Sequence, residues 1–369
     1  MSELSLSLTE AYKQRYDAIA CDDSEHRGIY YHADKKYWII YDYQLCSRLL
    51  NSPYVTKKRM MIPLSMFDEE KTVVERFLLL INQSLIFRDE GKSDIARIIH
   101  QNFKNTPCDE LIKETLSSLN RRKYLDEHDL ITLNNTLAAR LVGLESPNTL
   151  EEHAHNVGML FDGRIQGKEH FVQIARSFLT IFDTFRNQST DDVPCSDISA
   201  SDKAIAYIAA HQTTMQLIVA AFWAISHFNL KVDAENARDT VIEASRLYSP
   251  VLSVGRVISQ DTTLSGQNLK KGDRVMFYTG LANFDPEVFE EPLQFILGRK
   301  ERPLSFGTGV HMCIGMGIAL SFASSFMAEI GVLCLNKRVV SITDLAEGVS
   351  ALGASRFNIG MDCHELAES

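Results

Sequence analysis

One cysteine at the mouth of an apolar helix constrains this 369-residue chain more than any other feature. The segment Phe306-Gly-Thr-Gly-Val-His-Met-Cys313-Ile-Gly315 sets glycines at 307, 309 and 315 around that cysteine. Glycine permits backbone angles and close approaches that a side chain blocks, so such a loop can fold over a flat ligand and turn sharply into a helix. Cys313 then stands at the helix N-terminus, where amide N–H groups and the positive end of the dipole stabilise a thiolate. A thiolate held there is a ligand for iron, and amide hydrogen bonds would tune the metal's reduction potential. The helix from Met316 onward to Leu335 is apolar nearly all round, which predicts burial in a large core. A cysteine in an apolar helix, taken without this loop, is more often a small buried hydrophobe.

With 45% hydrophobic residues and only 9 prolines, the chain has enough apolar material for one large domain over residues 1–369. Lys and Arg number 38 against 48 Asp and Glu, a net charge of −10 that speaks against nonspecific nucleic-acid binding. Seven cysteines are scattered without a Cys-x-x-Cys pair, so neither a disulfide framework nor a zinc site is indicated. The N-terminal stretch lacks the basic region and apolar run of a signal peptide, and a cytoplasmic, reduced location is expected. The run from Ala204 to Ile225 imitates a membrane span, but His211, Gln212, Thr213, Thr214 and Gln216 at its centre would be costly in lipid. It reads instead as a long central helix of a globular protein, polar where it meets a wet site, and no membrane span is expected.

Downstream, Glu243 and Arg246 stand three apart on one helical face ahead of Pro250. An isolated Glu-x-x-Arg is usually a solvated ion pair of little energy. Gly28 to Tyr41 predicts paired strands with a turn at Asp34-Lys35, followed by a helix near Asp42–Leu50. Residues from about Cys108 to Phe228 read as mostly helical, and Val257 to Phe277 as short strands punctuated by Gly266 and Lys271-Gly-Asp273. Alternating strand–helix units and a Gly-x-Gly-x-x-Gly turn are absent from the sequence, so no fused flavin or nicotinamide domain is expected.

These segments, in this order, resemble the cytochrome P-450 family. Phe306, Gly309, His311, Cys313 and Gly315 match its pattern Phe-x-x-Gly-x-x-x-Cys-x-Gly with a basic residue two before the cysteine. The resemblance implies a mainly α fold with small β-sheets, a triangular helical body holding haem b between the long central helix and the cysteine-ligand helix. Cys313 would be the axial thiolate of the iron, within a cofactor loop that includes Phe306, Gly307 and Gly315. His311, Arg256 and Arg97 would meet the haem propionates, since buried carboxylates need cationic or hydrogen-bonding partners. Bacterial members often carry His-x-x-x-Arg at the last of these sites, and Ser93 stands in the histidine's place. Glu243, Arg246 and Arg299 would form a buried structural triad.

On the central helix the family carries Ala/Gly-Gly-x-Asp/Glu-Thr, and the matching residues are Ala209-Ala210-His211-Gln212-Thr213. Thr213 is then expected to assist oxygen activation, its hydroxyl able to bond back and distort the helix. Ala210 adds a methyl group where the family usually has none. Gln212 replaces an acid, and an amide orients water without acting as a general acid or base.

The implied activity is that of a haem-thiolate monooxygenase, inserting one oxygen atom from O2 into a small organic substrate in specialised metabolism. Electrons would come from NAD(P)H through a separate ferredoxin and reductase, with Lys92, Lys104, Lys300 and Arg302 candidates for docking an acidic donor. The alternatives are a peroxide-driven or oxidative-coupling enzyme and a non-catalytic haem-binding or carrier-recruiting homologue. Whether the substrate is free or tethered to a carrier protein stays open. By the same resemblance, Met66, Phe67, Tyr207, Ala210, the Val251–Val254 strand and a turn near Leu352–Ala354 would line its pocket.

Overall fold

The protein is described by a computed structural model covering residues 7–21, 28–57, 59–89, 93–122, 124–144, 149–188, 195–332, 338–348 and 350–361. Its first elements are α1 (Leu8–Cys21), β1 (Ile29–His32), β2 (Tyr37–Ile40), α2 (Tyr43–Leu50), β3 (Val55–Thr56), α3 (Lys71–Asn82), α4 (Ser93–Asn105), α5 (Cys108–Arg122) and β4 (Tyr124–Asp126). Helices follow as α6 (Glu127–Leu141), α7 (Glu151–Asp162), α8 (Gly167–Asn187), α9 (Asp197–His227) and α10 (Ala237–Leu247). The remainder comprises β5 (Val254–Ile258), β6 (Thr262–Leu264), β7 (Gln267–Leu269), β8 (Arg274–Phe277), α11 (Thr279–Ala282), α12 (Met316–Val332), β9 (Arg338–Glu347) and β10 (Leu352–Met361). They group into two compact units, one of residues 1–55, 107–133 and 213–369, the other of residues 56–106 and 134–212.

The first unit carries the sheets. Its larger sheet has the order β1-β2-β8-β5-β3, in which β2 pairs parallel with β8 and β5 pairs antiparallel with β8. The hairpin expected around Asp34-Lys35 forms as read, with Ile29 opposite Ile40 and Tyr31 opposite Trp38. Helix α2 starts where the sequence predicts because Asp42 caps it, its Oδ1 accepting from the Leu45 amide at 2.6 Å. Gly28, at φ 94°, lies against that cap. A Cβ on Gly28 would fall 2.2 Å from the Asp42 Cβ, so only glycine fits there. Ile29, Ile40, Leu49, Phe277 and Leu304 pack one continuous core beneath this sheet.

A second sheet orders β4-β10-β9. Leu352–Ala354, expected as a turn, instead opens strand β10 and pairs with Leu345–Glu347. The chain reversal comes earlier, where the Gly348 amide donates to the Ala351 carbonyl at 2.9 Å. Helix α12 packs on α10 and α5, and Phe222 meets Phe326 edge to face at 6.0 Å. The expected extension of α12 toward Leu335 lies outside the described residues.

The second unit is helical. α8 buries Phe171, Ile174, Phe178, Ile181, Phe182 and Phe185, the three-and-four spacing of a core-facing stripe. Phe77 of α3 meets Phe171 and Phe178 edge to face, and α7 packs along α8. α7 ends in a left-handed Gly163 whose amide donates back to Leu160. Helix α9 is α-helical throughout, with no π- or 3-10 turn interrupting the Ala209–Thr213 segment. Among the described residues it is the one helix long and apolar enough to cross a membrane, and 72% of its most apolar stretch is buried.

Candidate functional site

The cysteine loop folds back on itself. The Gly307 amide donates to the Leu304 carbonyl at 2.8 Å, Met312 to Gly309 at 3.0 Å, and Cys313 to Phe306 at 2.9 Å. Gly307 and Gly309 both sit at φ 67°, the left-handed region that side chains resist. At Gly309 a Cβ would fall 2.5 Å from Asn51 Oδ1 and 3.0 Å from the Leu50 carbonyl. Asn51, just beyond α2, also donates to Thr308 Oγ1 at 3.0 Å and so pins the loop to that helix end. Cys313 emerges exposed, three residues ahead of the first turn of α12, and is in no disulfide. A Cβ on Gly315 would lie 3.9 Å from Cys313 Sγ, so a larger side chain would crowd the sulfur. Phe306 and His311 are half-buried beside it.

Behind the loop, Glu243, Arg246 and Arg299 come together as a buried triad. Arg246 donates from Nε and Nη2 to both Glu243 oxygens at 2.8 and 2.7 Å, and Arg299 Nε reaches Glu243 Oε1 at 3.0 Å. The remaining Arg246 donors are taken up by main-chain carbonyls of Asn283, Pro292 and Gln294 at 2.8–3.0 Å. The three side chains are 5%, 1% and 8% exposed, far from the solvated pair that an isolated Glu-x-x-Arg suggests. A buried bidentate arginine saturated with acceptors fixes the segment that leads into the cysteine loop.

The same unit holds Arg256 on β5, half-buried, with Nη1 donating to the Gly255 carbonyl at 2.8 Å. It also holds Thr213, exposed on α9, and Gln216, whose amide donates to the Ala354 carbonyl at 2.6 Å. Arg97 belongs to the other unit, on α4, its side chain 70% exposed and 3.9 Å from Asp94. Of the candidate docking cations, Lys104, Lys300 and Arg302 are exposed and Lys92 lies outside the described residues.

In the second unit the polar middle of α9 is organised by side chains that the sequence did not single out. Asn134 of α6 donates its amide to the Ala210 carbonyl at 2.7 Å and to the His211 carbonyl. Tyr207 is fully buried, its hydroxyl donating to Asn135 and its ring packing on Phe185, so it serves this core. Phe67 is likewise 4% exposed and packs on Phe171. Gln212, half-buried, places Nε2 2.7 Å from His155 Nδ1 on α7. His211 is 3% exposed, and neither ring nitrogen has a protein partner. Burial pushes its imidazole down to about 4, and the charge of His155 adds in the same direction.

A neutral buried His211 makes stability depend on pH with a definite sign. The unfolded chain takes up the proton near 6.5 and the folded chain only near 4. Its contribution is therefore present above 6.5 and lost as pH falls toward 4, a span worth about 3 kcal/mol. Denaturant titrations across this range should show His211→Leu with a flatter pH profile than the parent chain; equal slopes would remove His211 from that role.

Residues 237–330 match the family profile described as Cytochrome P450. Over 319 residues, 79% of its length and 84% of the relative's, the chain is 25% identical to Cytochrome P450 119 of Sulfurisphaera tokodaii. These matches support a cytochrome P450 family protein. Similarity is higher but shorter against Cytochrome P450 109 of Bacillus spizizenii, 35% over 118 residues, 30% of this chain and 29% of that relative's length. The crystal structure of P450BioI in complex with hexadec-9Z-enoic acid ligated acyl carrier protein superposes with a TM-score of 0.78. That match covers 96% of this chain and 99% of the other at 19% identity, so it shows a shared P450 fold, mainly helical with small sheets.

The P450 family, to which these matches point, implies haem and an external electron donor. The residues present fit haem: an exposed cysteine just ahead of a helix, a glycine at 315 that leaves its sulfur uncovered, and half-buried His311 and Arg256 in the same unit. Asn134 carried a signal that sequence could have raised, since Asn134-Asn135 interrupts an otherwise apolar helix face. His155 carried none.

Proposed function

We propose that this P450 chain is a haem-thiolate monooxygenase acting on a small organic substrate with electrons from separate redox proteins. The observation that carries the proposal is the exposed Cys313, held ahead of α12 by a glycine-rich loop that the buried triad backs. When bound, haem would supply the oxygen-activating redox chemistry. Cys313 would ligate its iron, with Phe306, Gly307 and Gly315 shaping the contact. His311, Arg256 and Arg97 would neutralise the propionates, and Glu243, Arg246 and Arg299 would hold the loop in place. Thr213 would present a hydroxyl to water and the oxygen site, and Gln212 would orient that water as an amide without taking its proton. A ferredoxin and reductase would deliver electrons from NAD(P)H to this chain in the cytoplasm.

The reduced protein treated with carbon monoxide should show the red-shifted band of thiolate-ligated haem; its absence would leave only a non-catalytic homologue. Thr213→Ala should raise peroxide release relative to product several-fold if the hydroxyl holds water at the oxygen site. Unchanged coupling would remove Thr213 from the mechanism.

A second outcome, a peroxide-driven or coupling enzyme, is favoured by one observation: the acid position is Gln212, which bonds His155 instead of carrying a proton. Turnover with hydrogen peroxide alone, against turnover with NAD(P)H and redox partners, separates the two. The neighbour solved with a ligated acyl carrier protein supports including carrier-bound acids beside free ones in a substrate screen read by haem spin state.

A further inference from the structure

The amide of Gln212 has a seat on α7. Its Nε2 lies 2.7 Å from His155 Nδ1, and its Oε1 lies where a Cβ on Gly158, one turn farther along α7, would come within 3.5 Å. An amide nitrogen only donates, so His155 accepts at Nδ1 and carries its proton on Nε2. The amide carbonyl is thereby turned away from His155. In that orientation position 212 offers an oxygen acceptor, as the family's carboxylate would, although it cannot take the proton.

Protonation of His155 reverses the polarity of the contact. An imidazolium has no acceptor, so Nδ1–H would donate, and only Oε1 of the amide can receive it. The amide must rotate by half a turn about its last bond, and its NH2 group then takes the place that Oε1 held beside Gly158. The geometry points to His155 as the positioning residue that selects which end of the Gln212 amide meets water on α9. This inference rests on the proposal that position 212 belongs to the oxygen-side proton path.

The groups that act on His155 come from α7, from Arg164 just beyond its C-terminal Gly163, and from α9. Burial and Arg164 hold its imidazole below the ordinary 6.5, while Asp162, Glu151 and Glu152 oppose them. Asp162 pairs with Arg164 at 2.6 Å, and Asn135 of α6 donates to Glu151 at 3.4 Å. His211 of α9 feels the charge of His155, and burial holds its own imidazole down to about 4. α8 meets α7 through the neutral Ser177, which lies 3.1 Å from His153 and 3.3 Å from Asn156. Neutral His155 is therefore the resting form at physiological pH, and the rotation falls below 6.5.

Two readouts test this. In the ferrous carbon monoxide complex labelled with 15N-histidine, the His155 signal, assigned by its loss in His155→Gln, should report an unprotonated Nδ1 near neutral pH. Its titration should move in Gln212→Leu, which has no donor to give; an Nδ1–H tautomer or an unmoved titration overturns the contact. Coupling of NAD(P)H oxidation to product should then fall in the parent chain as pH drops below the histidine's midpoint, tracking a neutral fraction that declines roughly tenfold per unit. His155→Gln, which accepts without titrating, should flatten that profile, and His155→Arg, a permanent donor, should hold coupling low at every pH. A pH profile unchanged in His155→Gln overturns the positioning role even if the NMR contact is present. The thiolate band recorded in the same samples keeps these outcomes separate from the haem-thiolate premise of the proposed function, which fails if that band is missing.

Discussion

Glu243→Ala is expected to destabilise the protein by about 3–5 kcal/mol, the largest loss for a single side chain outside the apolar core. The substitution leaves Arg246 charged at 1% exposure with its carboxylate gone, and it takes the partner of Arg299 Nε and of the Ile296 amide as well. The carbonyls of Asn283, Pro292 and Gln294 still accept from Arg246, but no anion remains to balance the buried guanidinium. A urea midpoint at neutral pH measures the effect, with Arg97→Ala as the comparison because its side chain is 70% exposed. Arg97→Ala should change stability by no more than about 0.5 kcal/mol. A loss under about 1 kcal/mol in Glu243→Ala would mean that the triad is dispensable.

Cys313→Ser is expected to do the opposite: abolish turnover and the red-shifted carbon monoxide band while leaving the fold nearly intact. The residue is exposed, and its contact with Phe306 is made by the main-chain amide, so the hydroxyl costs the loop little. A serine hydroxyl stays protonated where a thiol at a helix entrance ionises, and a neutral oxygen is a poor ligand for ferric haem. Cys108→Ser and Cys195→Ser, neither in a disulfide, serve as controls that should keep the band. Retention of the band in Cys313→Ser would displace the cysteine from the site.

Features that depend on near neighbours in the chain were the readable ones. The Asp42 cap, the hairpin before it and the entry of α12 follow from local turn and capping chemistry, and the structure has them where the residues put them. The triad was legible through family resemblance, and its burial was the part that an isolated Glu-x-x-Arg could not reveal. The turn that family resemblance puts near Leu352–Ala354 falls just before them, at Gly348–Ala351, and Gly353 lies inside β10. The glycine admits the Gln216 amide, whose Oε1 lies 2.3 Å from where a Cβ would be. The His155–Gln212 contact joins residues 57 positions apart on separate helices. No spacing rule encodes such a pair, and neither does the clamp of Asn134 on two carbonyls of α9.

The first unit is assembled from three stretches of chain, residues 1–55, 107–133 and 213–369, and its strand β2 waits for β8 to complete the parallel pair. During synthesis Ile39 must therefore remain without its neighbour until Met276 has left the ribosome, and β4 without β10 until Asn358 has. Contacts of such long sequence separation make folding slow and keep apolar strand edges open meanwhile. The yield of correctly folded protein in a host should thus respond more to translation speed and chaperone supply than to any single substitution in the sheet.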